Sequence, residues 1–157
     1  MKIEKTNVMR ILEQKKIDFN SYSYINTDAI SGIEVATVLN QNPNQVFKTL
    51  VTVGSDKKNY VFLVPVSREL NLKKAAKSVN QKSVEMIKSK ELLELTGYIH
   101  GGCSPLGMKK EFKTVIDSSA KKFNTIIFSA GKIGYQVEVK VEELNKVIRF
   151  IFDDIVE

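Results

Sequence analysis

The hydrophobic residues of the chain follow two different spacings. A spacing of three or four residues is typical of amphipathic helices, whereas alternation or a short β-branched run is typical of strands. The first spacing predicts helices at about 7–16, 31–39, 71–79 and 90–95, and a helical turn at 142–146. The second predicts strands at 19–24, 46–53, 60–66, 83–87, 96–99, 112–116, 125–128, 135–141 and 147–152.

Local signals indicate where some of these elements begin and turn. Ser31 and Glu34 have the spacing of a capping box, in which each side chain bonds the other residue's backbone amide. The Asn42-Pro43-Asn44 segment predicts a turn, and Gly54-Ser55-Asp56 separates two β-rich runs that predict a hairpin. Mixed helices, strands and hairpins indicate an α+β fold: a single compact domain over residues 1–157, built on a mixed curved sheet or small barrel flanked by helices.

The composition is consistent with one domain and permits an acidic partner. With 43% hydrophobic residues, a chain of 157 residues can bury one core. Its 24 Lys and Arg against 18 Asp and Glu give a net charge of +6, which suits a polyanion such as RNA but also an ordinary solvated surface. No apolar stretch has the length of a signal peptide or membrane span, so we expect a cytoplasmic protein without a membrane partner.

Familiar catalytic machinery is missing from the sequence. One histidine and one cysteine offer no zinc-ligand cluster, and no serine stands in the context of a nucleophile elbow. A Walker loop and a dinucleotide fingerprint are absent as well, so we expect neither a metal nor a cofactor. His100 and Cys103 lie three residues apart beside glycines, which leaves open a cysteine nucleophile or a small residue packed near the loop.

Three segments stand out from the pattern. Lys48 interrupts an apolar strand and shares a face with Val46 and Leu50, either as a site residue or as a charge that protects an edge strand. The glycines of segment 101–107 allow backbone amides to approach a ligand and hold an oxyanion, although a tight loop has the same composition. Segment 129–134 is a Gly-Lys turn that either faces a phosphate or closes a plain hairpin.

In this order, the three segments resemble the YbaK family of aminoacyl-tRNA editing deacylases. The matching sequence is Val46-Phe47-Lys48-Thr49-Leu50, Thr96-Gly97-Tyr98, Gly101-Gly102-Cys103-Ser104-Pro105-Leu106-Gly107 and Ser129-Ala130-Gly131-Lys132-Ile133-Gly134. Supporting matches are Asn42-Pro43-Asn44-Gln45, Leu72-Lys73-Lys74, Val84-Glu85-Met86 and Ile116-Asp117. The resemblance covers nearly the whole chain, and its specificity lies in the conjunction of these segments.

The resemblance implies a set of site residues. The family's lysine falls on Lys48, its strand tyrosine on Tyr24, its oxyanion-side glycine on Gly101 and its pocket serine on Ser129. We assign Gly102 to catalysis together with Gly101.

Further site residues follow from the same matched segments. Thr49 and Ser104 are assigned to substrate binding. Gln136 stands where the family often has aspartate; because glutamine keeps hydrogen-bonding capacity but lacks the charge, an orienting role is favoured over that of a base. The family's phenylalanine near the second helix is replaced around Ile30.

The resemblance also implies a reaction, the trans-editing hydrolysis of a mischarged aminoacyl-tRNA, foremost Cys-tRNA(Pro). The cysteine thiol of the substrate would attack its own ester, while Lys48 anchors the terminal phosphate or 3′ adenosine and amides near Gly101 and Gly102 hold the oxyanion. The expected partners are the 3′ end of charged tRNA and prolyl-tRNA synthetase, and DNA is not expected.

Three alternatives remain open from the sequence. One is a deacylase of Ala-tRNA(Pro) that uses water as the nucleophile. Another is a non-catalytic module that binds tRNA or a synthetase, and the last is a basic protein that binds any nucleic acid with steep salt dependence.

Overall fold

Short helices and strands alternate along the chain, and the computed structural model describes residues 4–157. The α-helices are α1 (Asn7–Gln14), α2 (Gly32–Val38), α3 (Leu72–Ser78) and α4 (Ser89–Thr96). The strands are β1 (Phe19–Ser23), β2 (Phe47–Gly54), β3 (Asn59–Pro65), β4 (Val84–Met86), β5 (Lys113–Asp117), β6 (Thr125–Ser129), β7 (Tyr135–Lys140) and β8 (Ile151–Asp153). Two 3₁₀ helices, Ser118–Lys122 and Val141–Lys146, follow β5 and β7. Within the described range, no helix is long and apolar enough to cross a membrane.

The strands form two sheets that meet at one point. The smaller sheet has the order β1-β7-β6 and is antiparallel, and the larger has the order β4-β2-β3-β5-β8. The larger sheet is mixed, because β5 pairs in parallel with both β3 and β8. A parallel bridge between Val46 and Ile127 joins the start of β2 to β6. The α+β class and the mixed sheets are confirmed, whereas a closed barrel is not formed.

Strand β3 lies at the centre of the core and is covered on both faces. Val61 and Leu63 belong to the main hydrophobic cluster, which also contains residues of α1, β6 and β7. Phe62 and Val64 belong to a second cluster beneath α3. All four side chains are fully buried, which explains why β3 is a continuous apolar run rather than an alternating one.

Polar side chains fix the starts of three helices. The Ser31 hydroxyl accepts a hydrogen bond from the Glu34 N–H at 3.1 Å, and the Glu34 carboxylate accepts the Ser31 N–H at 3.0 Å. The predicted capping box is therefore confirmed. Thr6 caps α1 through the Met9 N–H, and Asn71 caps α3 through the Lys74 N–H. Each cap satisfies an amide that has no partner within its helix.

The structure corrects two predicted strands. Segment 96–99 is not a strand: Thr96 is the last residue of α4, and its hydroxyl donates to the Leu92 carbonyl at 2.7 Å. Gly97 ends the helix in the left-handed conformation with φ 86°. The predicted strand 147–152 shortens to β8, because a 3₁₀ helix runs up to Lys146 and delays the return to extended backbone.

Two predicted apolar helix faces are also narrower than their sequence pattern. Val38 at the end of α2 is 51% exposed, and Leu72 at the start of α3 is 44% exposed. Both helices have seven residues, and each of these two side chains stands at an end of its helix.

Candidate functional site

A cavity of about 290 Å³ opens where the two sheets meet. The N-terminal half of β2 forms its floor, and the ends of β1, β6 and β7, the start of α2 and the glycine loop after α4 surround it. The lining residues are Tyr24, Ile30, Ser31, Gly32, Val35, Val46, Phe47, Lys48, Thr49, Leu50, Val66, Leu92, His100, Gly101, Cys103, Phe128, Ser129, Tyr135 and Gln136. A cleft with mostly apolar walls and a few converging polar groups is the usual form of a small-molecule site.

The cavity brings together most of the residues expected to form the site. Tyr24, Lys48, Thr49, Gly101, Ser129 and Gln136 all line it, although they come from five separate parts of the sequence. Ile30 lines it too and is 88% exposed. It therefore leaves one side of the cavity open to solvent.

Two expected site residues do not line the cavity. Ser104 is completely buried, and its hydroxyl accepts the Leu106 N–H at 3.3 Å. Gly102 is also buried, and its N–H already donates to the Ile99 carbonyl at 3.0 Å. In this conformation Gly102 cannot offer its amide to an oxyanion, and Gly101 is the loop glycine that faces the cavity.

Gly101 has a backbone conformation that favours glycine. Its φ is 90°, in the left-handed half of the Ramachandran plot. An added Cβ would lie 3.6 Å from Ile133 Cγ1, which is ordinary van der Waals contact. The requirement for glycine is therefore one of backbone strain rather than of space.

Lys48 brings positive charge into the cavity from the N-terminal half of β2. Strand β2 pairs with β3 along its length, but β4 pairs only with Thr52, Val53 and Gly54. The part of β2 that carries Lys48 is therefore paired on the β3 side and not with β4, so protection of a strand edge stays an alternative for this lysine. Its Nζ lies 3.5 Å from Glu69 Oε1, and the two side chains are 32% and 81% exposed. An ion pair this open to water is weak, so an anionic ligand can replace Glu69 at little energetic cost.

The hydroxyl groups of Thr49 and Ser129 are available to a ligand in different ways. Thr49 Oγ1 is buried and has no hydrogen-bond partner among the described residues. Ser129 Oγ accepts the Gly131 N–H at 3.1 Å, which leaves its own hydrogen to be donated. A buried hydroxyl without a hydrogen-bond partner lowers the stability of the fold. Such a group in a native protein calls for an explanation, such as a water or a ligand that forms the hydrogen bond.

Gln136 is held in place from behind the cavity. Its side-chain Oε1 accepts a hydrogen bond of 2.8 Å from Gln41 Nε2, and the residue is only 5% exposed. The fixed amide agrees with the orienting role expected from the sequence. Gln41 itself was not anticipated, since nothing in its sequence context indicates which strand it contacts.

Cys103 is poorly suited to act as a nucleophile. Burial raises the pKa of its thiol to about 12, although a hydrogen bond with Thr96 opposes the shift. The reactive form of cysteine is the thiolate, which is almost absent near neutral pH at such a pKa. The arrangement favours the second interpretation of Cys103, a small side chain packed beneath the glycine loop.

Tyr98 connects the two glycine-containing segments and was not predicted to do so. Its hydroxyl donates to the Leu106 carbonyl at 2.5 Å, and burial raises its pKa to about 12. A Cβ added to Gly107 would lie 2.8 Å from the Tyr98 hydroxyl oxygen, and one added to Gly131 would lie 2.9 Å from the ring. Both glycines therefore let the loops close around Tyr98, which holds the loop in position.

The described residues contain no group of three or more His, Cys, Asp or Glu side chains that could hold a metal ion. The polar lining of the cavity consists instead of a lysine, hydroxyl groups, amides and His100. These groups bind and orient a polar ligand, and none of them is arranged as an activated nucleophile.

Proteins of similar sequence are named for the editing or the charging of tRNA. The model of the aminoacyl-tRNA editing domain matches residues 28–147. EbsC of Enterococcus faecalis, named as a candidate Cys-tRNA(Pro)/Cys-tRNA(Cys) deacylase, is 42% identical over 153 residues, which are 97% of this chain and 93% of EbsC. The proline–tRNA ligase of Lactobacillus helveticus is 24% identical over 137 residues, 87% of this chain but 24% of the ligase.

A crystal structure described as a candidate trans-editing enzyme for prolyl-tRNA synthetase has the same fold. Its TM-score is 0.83 at 22% identity, and the alignment covers 99% of each chain. This likeness shows the fold, a compact α+β domain, and the family match shows the class, the aminoacyl-tRNA editing domains. The chain belongs to the aminoacyl-tRNA editing family and is an aminoacyl-tRNA deacylase.

Proposed function

We propose that the protein hydrolyses mischarged Cys-tRNA(Pro) in trans, and that the thiol of the attached cysteine is the nucleophile. The observation that carries this proposal is a cavity with donors and a lysine but no activated nucleophile, in which Cys103 has a pKa of about 12. The name of EbsC supports cysteine as the amino acid.

In the proposed reaction, the substrate sulfur forms a bond with its own ester carbonyl carbon. The bond between that carbon and the ribose oxygen breaks, and the thiol proton ends on the ribose hydroxyl. The product is free tRNA and a cyclic cysteine thiolactone, which water then opens to cysteine. The protein contributes positioning and electrostatic stabilisation, which suffice when the nucleophile is already attached to the substrate.

Each cavity residue has a task in this scheme. Lys48 binds the terminal phosphate or the 3′ adenosine, displacing Glu69. The Gly101 amide stabilises the oxyanion, and Ser129 and Tyr24 shape the space around the amino acid. We place the reaction in the cytoplasm, with prolyl-tRNA synthetase supplying selectivity for the tRNA body.

The test is deacylation of a panel of charged tRNAs with and without prolyl-tRNA synthetase. We expect rapid release from Cys-tRNA(Pro) and slow release from Ser-tRNA and Ala-tRNA, because serine and alanine lack the thiol. Equal rates on all three would refute the substrate-thiol mechanism. Preference for Ala-tRNA(Pro) would indicate a water nucleophile, and binding of tRNA without release would indicate a non-catalytic module.

A further inference from the structure

Gln41 lies outside the cavity, and its side chain has one hydrogen bond in the described part of the chain. Its Nε2 donates to Gln136 Oε1 at 2.8 Å. Gln136 lines the cavity, whereas Gln41 does not. The other end of the Gln41 amide, Oε1, is buried without a hydrogen-bond partner in the region that the structure describes. The one polar contact of this side chain is thus made to a site residue.

This contact determines which end of the Gln136 amide remains for a ligand. A primary amide carries an acceptor on its oxygen and two donors on its nitrogen. Because Gln41 engages Oε1, the donors on Gln136 Nε2 remain for the cavity. Ser129 is the register partner of Gln136 across β6 and β7, and its hydroxyl already accepts the Gly131 N–H. Both neighbouring groups on this wall therefore act as donors.

We propose that Gln41 is a positioning residue that turns the Gln136 amide so that Nε2 faces the oxygen atoms of the bound aminoacyl ester. The inference rests on the proposed function. With Nε2 toward the substrate, Gln136 donates to the ester carbonyl or to a ribose oxygen. With Oε1 toward the substrate, it would instead repel those oxygens and attract the amino group.

The unpartnered Gln41 Oε1 separates this role from a structural one. A buried acceptor without a partner lowers stability, so a residue retained only for folding would be better replaced by an apolar one. Gln41→Met removes the unpartnered oxygen and keeps the side-chain length. We expect its melting temperature to equal or exceed that of the unchanged protein while its deacylation rate falls.

Three substitutions at position 41 distinguish donor from acceptor. Gln41→Lys offers only donors and should preserve the orientation of Gln136, so kcat/KM on Cys-tRNA should stay within about threefold. Gln41→Glu offers only acceptors, turns Gln136 by bonding its Nε2, and should lower kcat/KM roughly tenfold or more, mainly through kcat. Gln41→Met should fall between them. Gln14→Glu makes the same charge change at an exposed position of α1 and should have no effect.

A spectroscopic measurement reads the orientation without turnover. The Gln136 side-chain amide signal in a ¹⁵N spectrum is assigned by its loss in Gln136→Glu. Adding 3′-cysteinylamino-adenosine, an amide-linked analogue of the tRNA end, should shift this signal in the unchanged protein and in Gln41→Lys but not in Gln41→Glu.

Each alternative result has a distinct meaning. Equal activity in all three variants would remove Gln41 from the mechanism. Retained activity in Gln41→Glu with loss in Gln41→Lys would show that the Gln136 carbonyl faces the substrate. Parallel losses of melting temperature and activity would show a structural role. Absence of deacylation by the unchanged protein on every charged tRNA would instead refute the proposed function.

Discussion

Replacing Lys48 with methionine removes the positive charge of the cavity and keeps a side chain of similar length. The Lys48 side chain is 32% exposed, and its partner Glu69, 3.5 Å away, is 81% exposed. An ion pair this accessible contributes about 0–1 kcal/mol to folding. The free energy of unfolding should therefore change by no more than about 1 kcal/mol, measured by urea denaturation.

The effect of Lys48→Met on catalysis should be much larger. A hydrogen bond from a charged donor is worth about 1.5–3 kcal/mol, which corresponds to a decrease in kcat/KM of roughly 10- to 150-fold on charged tRNA. If the contact is made to a phosphate of the single-stranded 3′ end, the plot of log binding constant against log salt concentration should become shallower, its negative slope losing about 0.7 in magnitude.

Steady-state deacylation and filter binding over a range of salt concentrations measure these quantities. Lys73→Met is the matched control, because it removes one charge from the exposed face of α3. We expect it to retain deacylation on Cys-tRNA. Near-normal kcat/KM in Lys48→Met, or an equal decrease in both variants, would contradict a specific role for Lys48.

Three further predictions concern the glycine loop. Gly101→Ala should lower the free energy of unfolding by about 1–2 kcal/mol, because φ 90° strains an alanine. The loss in activation free energy, measured from kcat, should be larger, because Gly101 faces the cavity. Unchanged turnover would argue against an oxyanion role. Cys103→Ala should retain deacylation, and in the folded protein Cys103 should react with iodoacetamide far more slowly than in urea. A pKa raised to about 12 favours the neutral thiol in the folded state, so its contribution to stability is present below about pH 9 and is lost as the pH rises toward 12. Tyr98→Phe leaves the Leu106 carbonyl without its donor and should reduce the free energy of unfolding by about 1–3 kcal/mol; an unchanged urea midpoint would show that water replaces the hydroxyl.

Elements with strong local signals could be predicted from the sequence. The capping box of Ser31 and the hairpin of β2 and β3 depend on residues close in the chain, so their spacing is sufficient. The prediction of a strand at 96–99 was wrong, because this segment contains the end of α4 and the start of a loop that the Tyr98 hydroxyl holds in position. A side chain that anchors a loop has the same hydrophobic character as one in a strand.

The site could be predicted only as far as individual residues carry a signal. Lys48 was conspicuous because it interrupts an apolar strand, and it lies in the cavity. Gly102 and Ser104 belong to the same loop as Gly101 but face inward, and sequence spacing does not report the direction in which a loop turns. Gln41 was missed because its contact with Gln136 spans 95 positions of the chain.

The bridge between Val46 and Ile127 has a consequence for how such an enzyme changes its substrate. The two sheets are joined there and share one hydrophobic cluster, which contains Val61 and Leu63 of one sheet and Ile126 and Val137 of the other. The packing of this cluster therefore constrains their relative angle, and with it the width of the cavity. A substitution in the core behind either sheet can alter that angle. The size of the accepted amino acid can therefore change during evolution while every residue that touches it stays the same.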